Sequence, residues 1–198
     1  MIRSGCDIMF EIEKIKDKLR EKLSEYRYGH SLRVAEEAKR LAKVYSIDEE
    51  KAYLAGLIHD VAKEFSDEEN IKWIREGDLS LDLLDGEFDR VIHSEIGSVV
   101  VKEWFNVDEE IQQAVRYHTV GNIGMTLLDK IVFVADKIES GKKYPGIEEE
   151  RVLAYQNIDK ALWLCLKNQK DKKELEGKRI HPDSLELLGW LEKDNIYS

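Results

Sequence analysis

Five histidines occur among the 198 residues: His30, His59, His93, His118 and His181. The first four fall on the apolar stripes of runs with helical spacing. His30 shares a face with Val34, Ala38 and Leu41, and His59 follows Ala52 and Ala55. His93 precedes Ile96, Gly97, Val100 and Trp104, while His118 follows Ile111, Ala114 and Val115. Asp60 directly follows His59, and Asp136 ends the apolar run Ile131, Val132, Phe133, Val134, Ala135. A lone imidazole on an apolar face is ordinarily a hydrogen-bonded core residue. An inward carboxylate is costly unless paired. Four inward imidazoles and two inward carboxylates, carried on five helices, would converge inside a bundle where metal ions balance the carboxylates. Imidazole and carboxylate without sulfur suit iron, manganese, cobalt, nickel, zinc or magnesium rather than a thiolate-bound metal.

The elements that must position these groups read as helix after helix. Only two prolines occur, Pro145 and Pro182, and residues 8–144 contain none. Ile12, Ile15, Leu19 and Leu23 mark a first helix, preceded by a flexible extension over residues 1–8. Ala35, Ala38, Leu41, Ala42 and Tyr45 mark a second. Asp48 is an N-cap for a third, with Ala52, Ala55, Gly56 and Ala62 on one face. Ser66 with Glu69 forms a capping-box pattern for a short fourth helix through Trp73. Residues 76–90 read as turns and short helix, and helices follow at about 91–105, 108–119, 125–138 and 148–170, with a last one after Pro182. No strand-like alternation competes. The expectation is an all-α single domain over residues 9–198, a helical bundle.

Composition narrows the function. Lys plus Arg number 31 against 41 Asp plus Glu, a formal charge of −10, which disfavours a general nucleic-acid surface. The highly charged run 167–178 reads as a solvated helix end. Cys6 and Cys165 make neither a disulfide framework nor a thiolate zinc site and fit a reducing, cytoplasmic compartment. The longest apolar runs are far too short to span a bilayer, so no membrane partner is expected. Trp73, Trp104, Trp163 and Trp190 sit at helical spacings as core or contact residues, and the Trp-bearing terminal helices admit a homodimer.

The ordered set His30, His59-Asp60, Asp136 resembles the HD superfamily of metal-dependent phosphohydrolases. That resemblance implies an all-α HD-type fold in which His30, His59, Asp60 and Asp136 hold one metal. His93 and His118 stand where two-metal members place further histidines, with Asp60 able to bridge. Further segments match in order: Arg27-Tyr28-Gly29-His30-Ser31, Gly56-Leu57-Ile58-His59-Asp60-Val61-Ala62-Lys63, Ile92-His93-Ser94-Glu95-Ile96-Gly97 and Tyr117-His118-Thr119. So do Ala135-Asp136-Lys137-Ile138-Glu139, Tyr144-Pro145-Gly146 and Ile180-His181-Pro182. Together they resemble the bacterial symmetrical diadenosine tetraphosphate hydrolases, from about residue 11 to 190. The implied reaction splits a dinucleoside tetraphosphate into two nucleoside diphosphates by attack of a metal-bound hydroxide. Iron heads the implied metals, as one or two ions. One departure stands out: where the branch has Glu-Pro-x-Arg, this chain reads Glu139-Ser140-Gly141-Lys142, which keeps a charge but loses the bidentate fork.

Phosphoanhydride hydrolysis needs a nucleophilic water, neutralised phosphate charge and an accommodated leaving group. Two ions about 3.5–4 Å apart serve the first two needs. Asp60, His93 and His118 are the candidate catalytic groups, the histidines completing a second ion or facing phosphate. Lys63, three residues after Asp60, reads as a phosphate clamp from the same helical face, or else as an ion-pair partner of Glu64. Arg27 reaches the same phosphates or stays exposed; Thr119 donates to phosphate or caps its helix. Lys142 is a phosphate contact or an exposed loop lysine, and His181 borders the base or caps the last helix. The competing activities are hydrolysis of a mononucleotide, a deoxynucleoside triphosphate or a cyclic nucleotide. A diiron oxygenase and a nucleotide sensor without turnover are the readings from other classes.

Overall fold

In the computed structural model, residues 5–80 and 91–193 are described, residues 5–10 by their backbone alone. Among the described residues there are ten helices and no strand. The centre of the arrangement is α7 (Leu127–Ile138), and its sequence explains why. Ile131 through Ala135 are all fully buried, a complete apolar turn with no polar face, so the helix has to be covered on every side. Its neighbours are α2 (Glu25–Val44), α3 (Glu49–Ile58), α6 (Glu109–Tyr117), α8 (Ile147–Gln156) and α9 (Ile158–Leu175). Thr126 and Asp129 start α7 with a capping box, which contributes about 1 kcal/mol. Asp136 follows the apolar turn directly, so the helix that anchors the core also delivers a carboxylate into its middle.

The second organising contact is the crossing of α2 and α3. A Cβ on Gly56 would stand 2.9 Å from the Ala35 Cα and 3.1 Å from the Val34 carbonyl oxygen. The two backbones therefore touch, and this places His59, three residues beyond Gly56, beside His30, five residues before Ala35. We expect Gly56→Val to lower stability by about 1–3 kcal/mol through overpacking and to reduce bound metal. Thermal unfolding and metal analysis check this; a variant with normal melting and full metal would mean that the crossing tolerates separation.

The remaining elements are α1 (Gly5–Lys22), α4 (Asp67–Glu76), α5 (Ile92–Phe105) and α10 (Pro182–Lys193). α5 packs on α6 and α4, and α10 packs on α9. Trp73 is buried, and Trp104 stacks edge-on against it with ring centroids 6.0 Å apart. Trp190 is exposed on α10.

Asp48 caps α3 and Ser66 with Glu69 caps α4, as their spacing predicts. Four boundaries differ from expectation. α1 already begins at Gly5, so residues 5–8, expected in a flexible extension, are helical; Ile8 continues the four-residue spacing of Ile12 backwards. Residues 1–4 and 81–90 lie outside the described residues. The helix expected over 148–170 is two helices, divided at Asn157. That residue is extended, and its side chain accepts from the Asp159 and Lys160 N–H groups, starting α9 afresh. α3 ends at Ile58 rather than running past Ala62, and α6 ends at Tyr117 rather than 119. Both early stops have a histidine at the cap, which matters for the site.

Candidate metal centre

His59 and His118 are built by one device used twice. Each caps the C-terminus of its helix, and each ring turns Nδ1 back onto the carbonyl three residues earlier: Gly56 O at 2.7 Å and Val115 O at 2.6 Å. The bond satisfies a carbonyl that the ended helix leaves over. It also sets the tautomer. A carbonyl oxygen only accepts, so Nδ1 carries the proton and Nε2 keeps its lone pair. His30, from α2, meets the Glu139 carboxylate through Nδ1 at 3.1 Å, with the same consequence. Burial opposes ionisation of Glu139, but Arg33 at 2.6 Å and the Gly141 N–H outweigh it and hold the carboxyl below its usual value.

These lone pairs converge on carboxylates. His30 Nε2 lies 3.0 Å from Asp136 Oδ1 and 3.8 Å from Asp60 Oδ2. His59 Nε2 lies 3.5 Å from Asp60 Oδ2 and 3.8 Å from Asp136 Oδ1. On the other side, His93 Nε2 and His118 Nε2 lie 3.2 and 3.5 Å from Asp60 Oδ1. Asp60 thus turns one oxygen toward His30 and His59 and the other toward His93 and His118. The four histidines and Asp60 are buried; Asp136 is partly buried.

Lone pair against lone pair at these distances is repulsive without a cation between them. The Nε2 atoms of His30 and His59 are buried and have no hydrogen-bond partner. Ligands about 2.1 Å from one ion stand about 3–3.5 Å from each other, close to the spacings here. The donor set therefore fits divalent metal. Two triads sharing Asp60 have this geometry: His30, His59, Asp60 and Asp60, His93, His118. The electrostatics agree. Burial works against charge on Asp60 and Asp136, yet positive charge on the His59 ring beside Asp60 and on Lys137 beside Asp136 holds both carboxyls well below their ordinary values, and the carboxylates in turn raise His59, so the centre favours positive charge among its donors. Burial pushes His118 down to about 3, so its Nε2 stays an acceptor at neutral pH.

Cationic side chains ring the carboxylates. Arg27 Nη1 is 2.7 Å from Asp60 Oδ2, inside the centre rather than exposed. Lys63 Nζ is 3.2 Å from both ring nitrogens of His93. The sequence placed Lys63 on one helical face with Asp60, three residues earlier. α3 has already ended there, but successive three-residue turns, with Lys63 N donating to Asp60 O, keep Lys63 aligned with Asp60. Its alternative partner Glu64 is engaged by the Ser24 N–H and hydroxyl. Thr119 Oγ1 is 3.0 Å from His118 Nε2 and 3.3 Å from His93 Nε2, facing the centre and capping no helix, since α6 and α7 are capped by Asp108 and Thr126. Lys142 Nζ approaches Asp136 Oδ1 at 3.7 Å. His181 accepts from the Asp183 N–H at the start of α10. It also lines a cleft of about 680 Å³ together with Lys63, Thr119 and Lys137. A larger cleft, about 1020 Å³ beside α1 and residues 104–108, shares no residue with the centre.

Three members of this site were not singled out from the sequence: Glu139, Arg33 and Lys137. Arg33 and Glu139 each lie three residues from a ligand candidate, a helical spacing that could have suggested them. Lys137 gives no such signal. Adjacent helix residues point apart, yet Lys137 Nζ runs over the Phe133 ring and returns to Asp136 Oδ2 at 2.6 Å.

Residues 27–141 match the family model of the HD domain, a span that includes every ligand candidate. A symmetrical bis(5'-nucleosyl)-tetraphosphatase of Staphylococcus aureus is 38% identical over 155 residues, 77% of this chain and 79% of that one. The protein of the same description from Bacillus subtilis is 35% identical over 174 residues, 87% and 93% of the two chains. A crystal structure from Clostridium acetobutylicum, described as a predicted HD superfamily hydrolase involved in NAD metabolism, superposes with a TM-score of 0.85 at 34% identity. It covers 93% of this chain and 98% of that one.

Proposed function

This chain belongs to the HD-domain family and, within it, to the symmetrical bis(5'-nucleosyl)-tetraphosphatases, and from that premise we propose that Asp60 is the shared ligand of a two-metal centre that splits diadenosine tetraphosphate in the middle. The observation that carries the reading is the division of Asp60, with Oδ2 toward His30 and His59 and Oδ1 toward His93 and His118. His30, His59, Asp60 and Asp136 would hold one ion; Asp60, His93 and His118 would hold the second. Divalent ions bound there would supply Lewis acidity, neutralising phosphate oxygens and acidifying a coordinated water.

The protein's own groups supply the rest. Lys63, beside His93, meets the phosphoryl group under attack and stabilises the charge that develops on it. Arg27 and Lys142 take adjoining phosphate oxygens, Lys142 through a single point charge. Thr119 donates its hydroxyl to a phosphate oxygen. The buried imidazoles exclude bulk water, and Glu139 with Arg33 keeps the His30 ring in its acceptor tautomer. The sulfur-free donor set suits iron, which the resemblance puts first, as well as manganese, cobalt, nickel, zinc and magnesium, and elemental analysis of freshly purified protein reads which is held. Trp190, exposed on α10, supports the homodimer expected from the sequence. The sparse cysteine content, two residues far apart in the chain, supports a cytoplasmic setting; among the described residues no helix is long and apolar enough to cross a membrane.

The bond broken tests this reading. Water oxygen adds to a β-phosphorus, and the central bridging oxygen leaves with the other ADP. Hydrolysis in heavy-oxygen water therefore yields ADP alone, with label in one of every two ADP molecules. AMP and ATP as products would overturn symmetrical cleavage. Turnover of mononucleotides alone would overturn the substrate.

A further inference from the structure

The charged end of α9 reads as solvent-facing in the sequence, but two of its lysines do not behave alike with the rest. Lys167 pairs with Asp171 at 3.1 Å, Lys170 with Glu174 at 3.0 Å and Lys178 with Glu176 at 2.6 Å. Among the described residues Lys172 and Lys173 have no ion-pair partner. These two line the cleft of about 680 Å³ whose inner wall is Lys63, Thr119 and Lys137 of the metal centre. In a protein of net charge −10, Lys172 and Lys173 share this cleft with Lys63, Lys137 and Arg179 against one carboxylate, Glu176, itself paired with Lys178, so the cleft is a local positive channel beside the site of attack. The volume lies in the range of small-molecule sites.

We propose that Lys172 and Lys173 form a specificity subsite for the departing half of the substrate. They bind the phosphates beyond the scissile bond, so that the nucleoside diphosphate that leaves lies along the end of α9. This deepens the two-metal reading and rests on it for the position of the scissile bond. Only a substrate carrying further anionic phosphate beyond that bond gains from the channel. A phosphomonoester or a short diester ends at the metals and gains nothing, which makes the α9 end a discriminator of substrate length.

The test uses the full-length, metal-loaded enzyme and diadenosine tetraphosphate with a methylene in place of the central bridging oxygen, so that binding is read without turnover. Lys172→Gln with Lys173→Gln should raise Kd about tenfold and flatten its dependence on salt, with metal content and melting temperature unchanged. Lys167→Gln with Lys170→Gln removes the same charge from the same helix but from paired lysines, and should leave Kd within about twofold. KM for the natural substrate should follow Kd while kcat is kept. An unchanged Kd in the Lys172/Lys173 variant, or an equal rise in both variants, would overturn the subsite. The proposed function fails separately, by the wild-type enzyme producing something other than two ADP.

Discussion

Asp60→Asn hydrolyses diadenosine tetraphosphate about 10³-fold or more slowly than the parent and retains less metal, while its helical content is unchanged. The amide has nearly the shape of the carboxylate, so packing against His59 and His93 survives. Its chemistry does not. Only one of its two heavy atoms accepts, whereas Asp60 presents an acceptor oxygen to each histidine pair, at 3.5 Å to His59 on one side and 3.2 Å to His93 on the other. The negative charge shared by both sets disappears as well. Arg27, now 2.7 Å from Oδ2, loses its ion-pair partner but keeps access to solvent, which limits any loss of stability. Metal analysis, a kinetic assay and circular dichroism check the three parts. Normal turnover with full metal occupancy would remove Asp60 from its bridging role.

Lys63→Ala lowers kcat/KM by about 1.5–3 kcal/mol, roughly 10- to 150-fold, and leaves metal content near that of the parent. The separation of the two readouts follows from position. Lys63 Nζ lies against the His93 ring and lines the cleft, but a cationic ammonium ligates no metal. Burial pulls its pKa below the ordinary lysine value, with Asp60 acting in the opposite direction, and water screens a charge in this place little. Lys63→Arg should recover only part of the activity, because the planar fork does not reproduce a compact point charge. Normal turnover in Lys63→Ala would make the lysine a structural partner of Asp60. Loss of metal in step with activity would mean that it supports the ligands instead of the phosphate.

The inward-facing imidazoles and carboxylates and the all-α class were legible in the sequence by itself, because both rest on local rules. Helical spacing says which face of a run is apolar, and an imidazole or carboxylate on that face announces itself by type. The caps at Asp48 and Ser66 were readable for the same reason. Asn157 was not, since an asparagine within an apolar run ends a helix only when its side chain captures the next N–H groups.

What only the tertiary structure decided is how those faces meet. The contact of Gly56 with the Ala35 backbone brings His59 to His30, and no spacing along one helix reports that crossing. The tautomers of His59 and His118 depend on each helix stopping at the residue before its histidine, where a carbonyl freed by that stop claims Nδ1. The division of the Asp60 oxygens arises from four elements closing around one side chain. Long cationic side chains were the least readable of all. Lys137, Arg27 and the α9 lysines reach several ångströms from their own backbone, so their targets are chosen by whichever neighbour packing brings within range. Periodicity constrains where a side chain starts; the packed neighbours determine where its charge ends.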